Sequence, residues 1–82
     1  MKKENFERVQ RVIRIIKLRS LHVEWLESKE PELSISLTKK GGARVDIPAT
    51  AISPAATAAI RAILCAEAKR DIEELELELE GL

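Results

Sequence analysis

The sequence predicts a small α+β fold, mostly helical, in which two long antiparallel helices are joined through a β-hairpin in the order α-β-β-α. Three observations carry this reading. Apolar residues recur every third or fourth position near the start, strict alternation flanks a Lys-Lys-Gly-Gly turn in the middle, and Ala55 to Glu80 runs without Gly or Pro. The expected boundaries are a helix over about 3–28, a hairpin over about 32–48 and a helix over about 54–80, all within one domain, 1–82.

In the first segment, Phe6, Val9, Val12, Ile13, Ile16 and Val23 fall within a sector roughly 120° wide at 100° per residue, the apolar stripe of an amphipathic helix. Beyond Leu18 two readings compete. Leu21, Val23 and Trp25 alternate with polar neighbours as a half-buried strand would, giving the alternative order α-β-β-β-α. As helix, the same stretch puts Leu18, Leu21 and Trp25 on a second stripe, spaced three and four apart. The helix is favoured because no Gly or Pro interrupts it before Pro31, which disfavours helical geometry at Glu30.

The stretch ELSISLTKKGGARVDIP reads as a hairpin. Leu33, Ile35 and Leu37 alternate with Ser34, Ser36 and Thr38, while Val45 and Ile47 alternate with Arg44 and Asp46. Gly41 and Gly42 suit the positive φ of a tight turn, and Pro48 ends the second strand.

Ser53 and Pro54 open the last helix as N-cap and first helical residue, and Gly81 is placed to stop it. The closing LELELE alternates like a strand, yet Ile72, Leu75, Leu79 and Leu82 keep helical spacing and extend the stripe of Ile60, Leu64 and Ala68. No β-branched residue follows Ile72, so the tail is read as helix. Leu77 then points about 140° to 160° away from Leu79, off the main stripe.

A chain of 82 residues has little interior for both a core and a catalytic cleft. One Phe, one Trp and no Tyr supply no stacking platform for single-stranded nucleic acid. A single Cys excludes an internal disulfide or a Cys-rich metal site, and a zinc site would need carboxylates beside the one His. No apolar run approaches the roughly 18 to 20 residues that span a bilayer, and the basic start lacks the h-region of a secretory signal. The expected location is cytoplasmic, and no cofactor is implied.

Net charge is zero, but it is divided unevenly. Residues 1–22 hold seven basic side chains against two acidic ones, a net of +5, and residues 66–82 hold seven acids against two bases, a net of −5. In antiparallel helices these blocks face one another, guiding the pairing more than holding it. Two helices and a two-stranded ribbon leave apolar surface over, so a homo-oligomer, dimer or higher, is expected. Its interface residues are Leu18, Leu21 and Trp25 on the first helix and Ile63 and Leu77 on the second, where Ala59 and Ala66 permit close approach.

No catalytic constellation is assembled. His22 has no Asp or Cys near it in sequence, and Cys65 among Leu64, Ala66 and Ala68 reads as a small buried hydrophobe. The Glu run of the tail reads as a solvated helix face rather than a set of acid and base groups with raised pKa. The protein is therefore expected not to be an enzyme. The hairpin turn is the one stretch suited to a ligand: Lys39, Lys40, Gly41, Gly42 and Arg44 offer cations and backbone amides to a nucleotide or other anion, or to a protein partner, without the spacing of a P-loop. Arg8, Arg11, Arg14, Lys17 and Arg19 step around the first helix instead of forming one nucleic-acid-binding stripe.

An amphipathic helix, a hairpin ending as in ARVDIPA and a long helix finishing in Leu/Glu repeats as in DIEELELELEGL resembles the pattern of short accessory proteins of bacterial prophages. The resemblance covers most of the chain and carries over no functional residue. It implies a phage or mobile-element protein of a kind that binds or occludes host factors, with a host-defence protein among the possible targets.

Overall fold

The computed structural model describes residues 3–81. In chain order these form helix α1 (Lys3–Glu27), strands β1 (Ile35–Thr38) and β2 (Arg44–Ile47), a 3-10 turn at Ala49–Ala51, and helix α2 (Pro54–Glu80). This is the α-β-β-α arrangement. Residues 20–27 belong to α1, and the third strand of the alternative order is absent among the described residues. Lys2 of the basic block and Leu82 of the apolar stripe lie outside the described residues.

Helix α1 runs on past Leu18 because Leu18, Leu21 and Trp25 keep helical spacing and no Gly or Pro interrupts the segment before Pro31. Its end is made from outside. The Arg61 guanidinium, reaching over from α2, donates to the carbonyl of Ser28 at 2.7 Å, to that of Leu26 at 3.4 Å and to that of Pro31. Leu26 is among the last carbonyls of α1, which have no partner within the helix, while Ser28 and Pro31 belong to the segment that leaves it, so one planar cation ties the helix end to the chain that follows. Sequence reading had assigned Arg61 no role.

The hairpin begins later than expected. Leu33 and Ser34 precede β1, and the ladder pairs Ile35 with Ile47, Ser36 with Asp46, Leu37 with Val45 and Thr38 with Arg44. Gly41 and Gly42 take φ of 106° and 100°, which an L side chain would resist. Lys39 closes the turn by donating its amide to the Ala43 carbonyl at 2.7 Å, and Gly42 donates to Lys39 at 3.0 Å. In this register Ile35, Leu37, Val45 and Ile47 share one face, while Ser36, Thr38, Arg44 and Asp46 share the other.

Ser53 caps α2 as expected, its Oγ accepting from the Ala56 amide at 3.1 Å, with Pro54 in the first turn. At the far end Gly81 has φ of −83°, so the helix stops there without a left-handed residue; its amide reaches the carbonyls of Glu78 at 3.1 Å and Leu77 at 3.3 Å. The LELELE stretch is helical throughout its described length.

The helices lie antiparallel. Arg8 near one end of the pair meets Glu78, and Glu27 near the other meets Lys69. The contacts between elements are concentrated between α1 and α2 and between the two strands. Among the described residues only Val12 and Ala68 are buried, at 4% and 0% exposure. The expected stripe of α1 is therefore only partly covered: Val9, Ile13, Ile16 and Val23 are half-buried and Phe6 is exposed, because one neighbouring helix shields one line of an apolar sector. The molecule is long and thin, 50 × 32 × 17 Å, with a Cα radius of gyration of 16.5 Å, against about 12 Å for a compact chain of this length. None of the described helices is long and apolar enough to cross a membrane.

Replacing Arg61 by Met keeps the bulk of the side chain and removes every donor to the α1 terminus. We expect a loss of about 2 kcal/mol in urea unfolding at fixed protein concentration, with Arg61→Lys recovering only part because a single ammonium cannot serve three carbonyls in a plane. An unchanged urea midpoint for Arg61→Met removes this cap from the account of the fold.

Candidate functional site

The residues expected to form an oligomer interface are all exposed: Leu18, Leu21 and Trp25 on α1, and Ile63 and Leu77 on α2. Trp25 is 58% exposed and Leu77 66%, the latter while its neighbours Leu75 and Leu79 are half-buried in the helix pair. These five residues do not make one surface. Leu21 lies nine residues from buried Val12, and Leu77 nine from buried Ala68, a half-turn around each helix from the seam. The two sets thus look outward on opposite edges of a two-helix layer, which a reading of each helix separately could not foresee.

The outer side of α2 has a regular composition. Ala59, Ile63, Ala66, Arg70, Glu73, Leu77 and Glu80 recur at alternating spacings of four and three, the seam of a helix that pairs with another helix. Arg70 pairs along this face with Glu74 at 3.5 Å.

The charge blocks meet in part. Arg8 donates to Glu78 at 2.9 Å and Arg19 to Asp71 at 2.7 Å, joining the basic helix to the acidic one along one side of the seam. Glu73, Glu76 and Glu80 form no ion pair among the described residues, and all three are exposed. The complement of the basic first helix is therefore a fraction of the acidic run.

At the hairpin, Lys39, Lys40, Gly41, Gly42 and Arg44 are exposed, but they are not equivalent. Arg44 is tied into the polar face: its Nε donates to Asp46 Oδ1 at 2.8 Å and its Nη2 to Ser36 Oγ at 3.1 Å, while Ser36 Oγ donates to the same Asp46 oxygen at 2.7 Å. The Ser36 hydroxyl, and after it the Arg44 guanidinium, hold the Asp46 carboxyl below its usual range. Lys39 and Lys40 make no ion pair among the described residues, so they are the accessible cations of the ribbon tip. On the opposite face of the ribbon, Leu37 is 58% and Val45 64% exposed, facing one another across the ladder with no cover from the helices.

Beside Trp25 is a recess of about 310 Å³ bounded by Arg19, His22, Leu26, Leu33, Arg61 and Leu64. The Arg and His side chains that line it each already have a partner. Arg19 Nη1 lies 3.1 Å from His22 Nδ1, and Arg61 is held by the carbonyls of Leu26, Ser28 and Pro31. Arg19 Nε is enclosed without a hydrogen-bond partner.

Cys65 is half-buried rather than enclosed, and its Sγ donates to Glu27 Oε1 at 3.6 Å, because Glu27 and Lys69 meet above it. The Lys69 ammonium at 2.8 Å, by hydrogen bond first and charge second, lowers the Glu27 pKa, and Glu27 raises that of Lys69. His22 is engaged with Arg19, not with Cys65. Among the described residues no group of three or more His, Cys, Asp and Glu side chains is gathered to hold a metal ion. The chain matches no known protein family, no curated protein and no solved structure.

The Asp46 network has a measurable consequence. A carboxyl with a lowered folded-state pKa contributes stability that is present above its unfolded value and lost as the pH falls through the folded one. Carboxyl NMR titration is expected to place Asp46 below the ordinary aspartate range, and Ser36→Ala is expected to move it back upward by removing the leading cause; a midpoint indifferent to Ser36→Ala contradicts the assignment.

Proposed function

We propose that the chain is a non-enzymatic, homo-oligomeric protein-interaction module of phage or mobile-element type, which inhibits a host factor by binding or occluding it. The observation that supports this reading is the imbalance between inside and outside. Among the described residues two are buried, whereas Phe6, Leu18, Leu21, Trp25, Leu37, Val45, Ile63 and Leu77 are all more exposed than covered or nearly so. Isolated surface leucines are ordinary, but apolar residues repeated along two helices and a ribbon amount to contact surface.

Two outward faces also suit two tasks. A chain that pairs with itself through one edge keeps the other, with Trp25 at its centre, for the protein it acts on; aromatic anchors of this kind carry a large share of binding energy at protein interfaces. The cytoplasm is the compartment in which such a protein would meet its target. The competing reading, sequestration of a nucleotide or another phosphate ligand, rests on Lys39 and Lys40 alone once Arg44 is occupied by Asp46.

Sedimentation equilibrium at tens of micromolar is expected to give a species heavier than the 9.2 kDa chain, and a monomer under those conditions would falsify the oligomeric reading. Leu77→Glu, at an exposed site where it leaves the helix pair intact, is expected to shift the equilibrium toward monomer. Thermal-shift measurements with nucleotides test the competing reading: stabilisation by more than about 1 kcal/mol at saturating ligand would favour it over protein binding.

A further inference from the structure

We infer that the partner covering the outer side of α2 and the apolar face of the ribbon is a second copy of this chain, packed antiparallel across a two-fold axis. In that arrangement the Lys39–Lys40 tip of each copy lies against the acidic end of α2 of the other. The inference rests on the oligomeric reading above and adds to it the surfaces, their orientation and the charges that align them.

The first argument is area. The chain exposes 6800 Å², whereas a compact folded monomer of 9.2 kDa exposes about 4,900 Å². The surplus of about 1,900 Å² per copy amounts to roughly 3,800 Å² across a pair, within the range of obligate homodimers. A surplus of that size belongs to the folding of the chain itself, since its two helices and four-residue strands enclose almost nothing alone. An isolated two-stranded ribbon is marginal in water, and this one turns Leu37 and Val45 outward while Ser36, Arg44 and Asp46 occupy the other face.

The second argument is symmetry. Ile63 and Leu77 are the large apolar residues of the outer α2 seam, and Arg70 lies midway between them. When two copies of this helix pair antiparallel with the axis near Arg70, Ile63 of each meets Leu77 of the other, and Ala59 and Ala66 leave room for the approach. A parallel pairing would set Leu77 on Leu77 and bring the acidic ends together.

The third argument is charge. The ribbon joins the helices at the end of the molecule opposite residues 73–80, so antiparallel pairing carries each ribbon to the acidic end of the other copy. Lys39 and Lys40 on one side, and Glu76 and Glu80 towards the end of α2 on the other, are exposed and lack ion pairs among the described residues. Opposite charges rimming apolar centres fix the orientation in which such surfaces meet.

A charge exchange between two variants tests this. Lys39→Glu/Lys40→Glu in one chain and Glu76→Lys/Glu80→Lys in another leave the apolar seam residues Ile63 and Leu77 and the residues around the axis in place, and helical circular dichroism checks that each folds. Sedimentation equilibrium at near-physiological salt is expected to show each variant dimerising at least about tenfold more weakly than the natural chain, and their equimolar mixture recovering the dimer, because both ribbon contacts then join opposite charges. If the natural chain dimerises and neither variant weakens it, the arrangement is overturned while the oligomeric reading stands. Recovery failing in the mixture overturns it equally. A natural chain that is monomeric overturns both, leaving these faces to a different partner.

Discussion

Ala68 is wholly enclosed in the helix pair, and its single methyl group lets the two helix backbones approach there; buried Val12 lies farther along the same seam, near Leu75. Among the described residues that seam holds the whole buried interior. Two cylinders touch along a line and not over an area, so the seam shields one strip of each helix and leaves the flanks half-wet, as Val9, Ile13, Ile16 and Ile72 show. A third element across the flanks would close the core. Among the described residues the ribbon is the element that could do so, and its contacts are concentrated within its own ladder.

Around this seam the polar groups set direction more than strength. Arg8 with Glu78 and Arg19 with Asp71 mark one antiparallel register, and Glu27 with Lys69 repeats it with the signs reversed. Pairs this accessible contribute little each, but a shifted or parallel arrangement would lose all of them together. Arg61 differs in kind: it is partly sheltered and bonds to backbone, fastening the end of α1 to the start of α2 where no glycine or side-chain cap does so.

An incomplete interior has functional meaning because it turns the oligomeric state and the fold into one problem. The outer α2 seam, the Leu37–Val45 face and the Trp25 edge are apolar at positions where water would otherwise be the neighbour. The net charge of zero fits the same picture. In the pairing proposed above, cations at the ribbon tip and carboxylates at the end of α2 would cancel, whereas they would act separately on a nucleic acid or a membrane.

Much of this was legible in the order of residues. Three-and-four spacing marked both helices, alternation around Gly41 and Gly42 marked the ribbon, and Ser53 with Pro54 marked the start of α2, because each depends on neighbours within a few positions. The odd orientation of Leu77 followed from the helical period alone. What sequence could not supply is how much one helix covers of another. Cys65 was expected to be enclosed and is half-open beside Glu27, Arg44 was expected to be free and is held by Asp46, and the five exposed interface residues divide between two edges instead of sharing one. Arg61 carried no local signal, since its partners lie 30 to 35 residues away. Local periodicity determined which elements form and which way each is amphipathic. Only their placement in space decided which apolar residues find cover, because burial depends on two surfaces meeting and the chain states each of them separately.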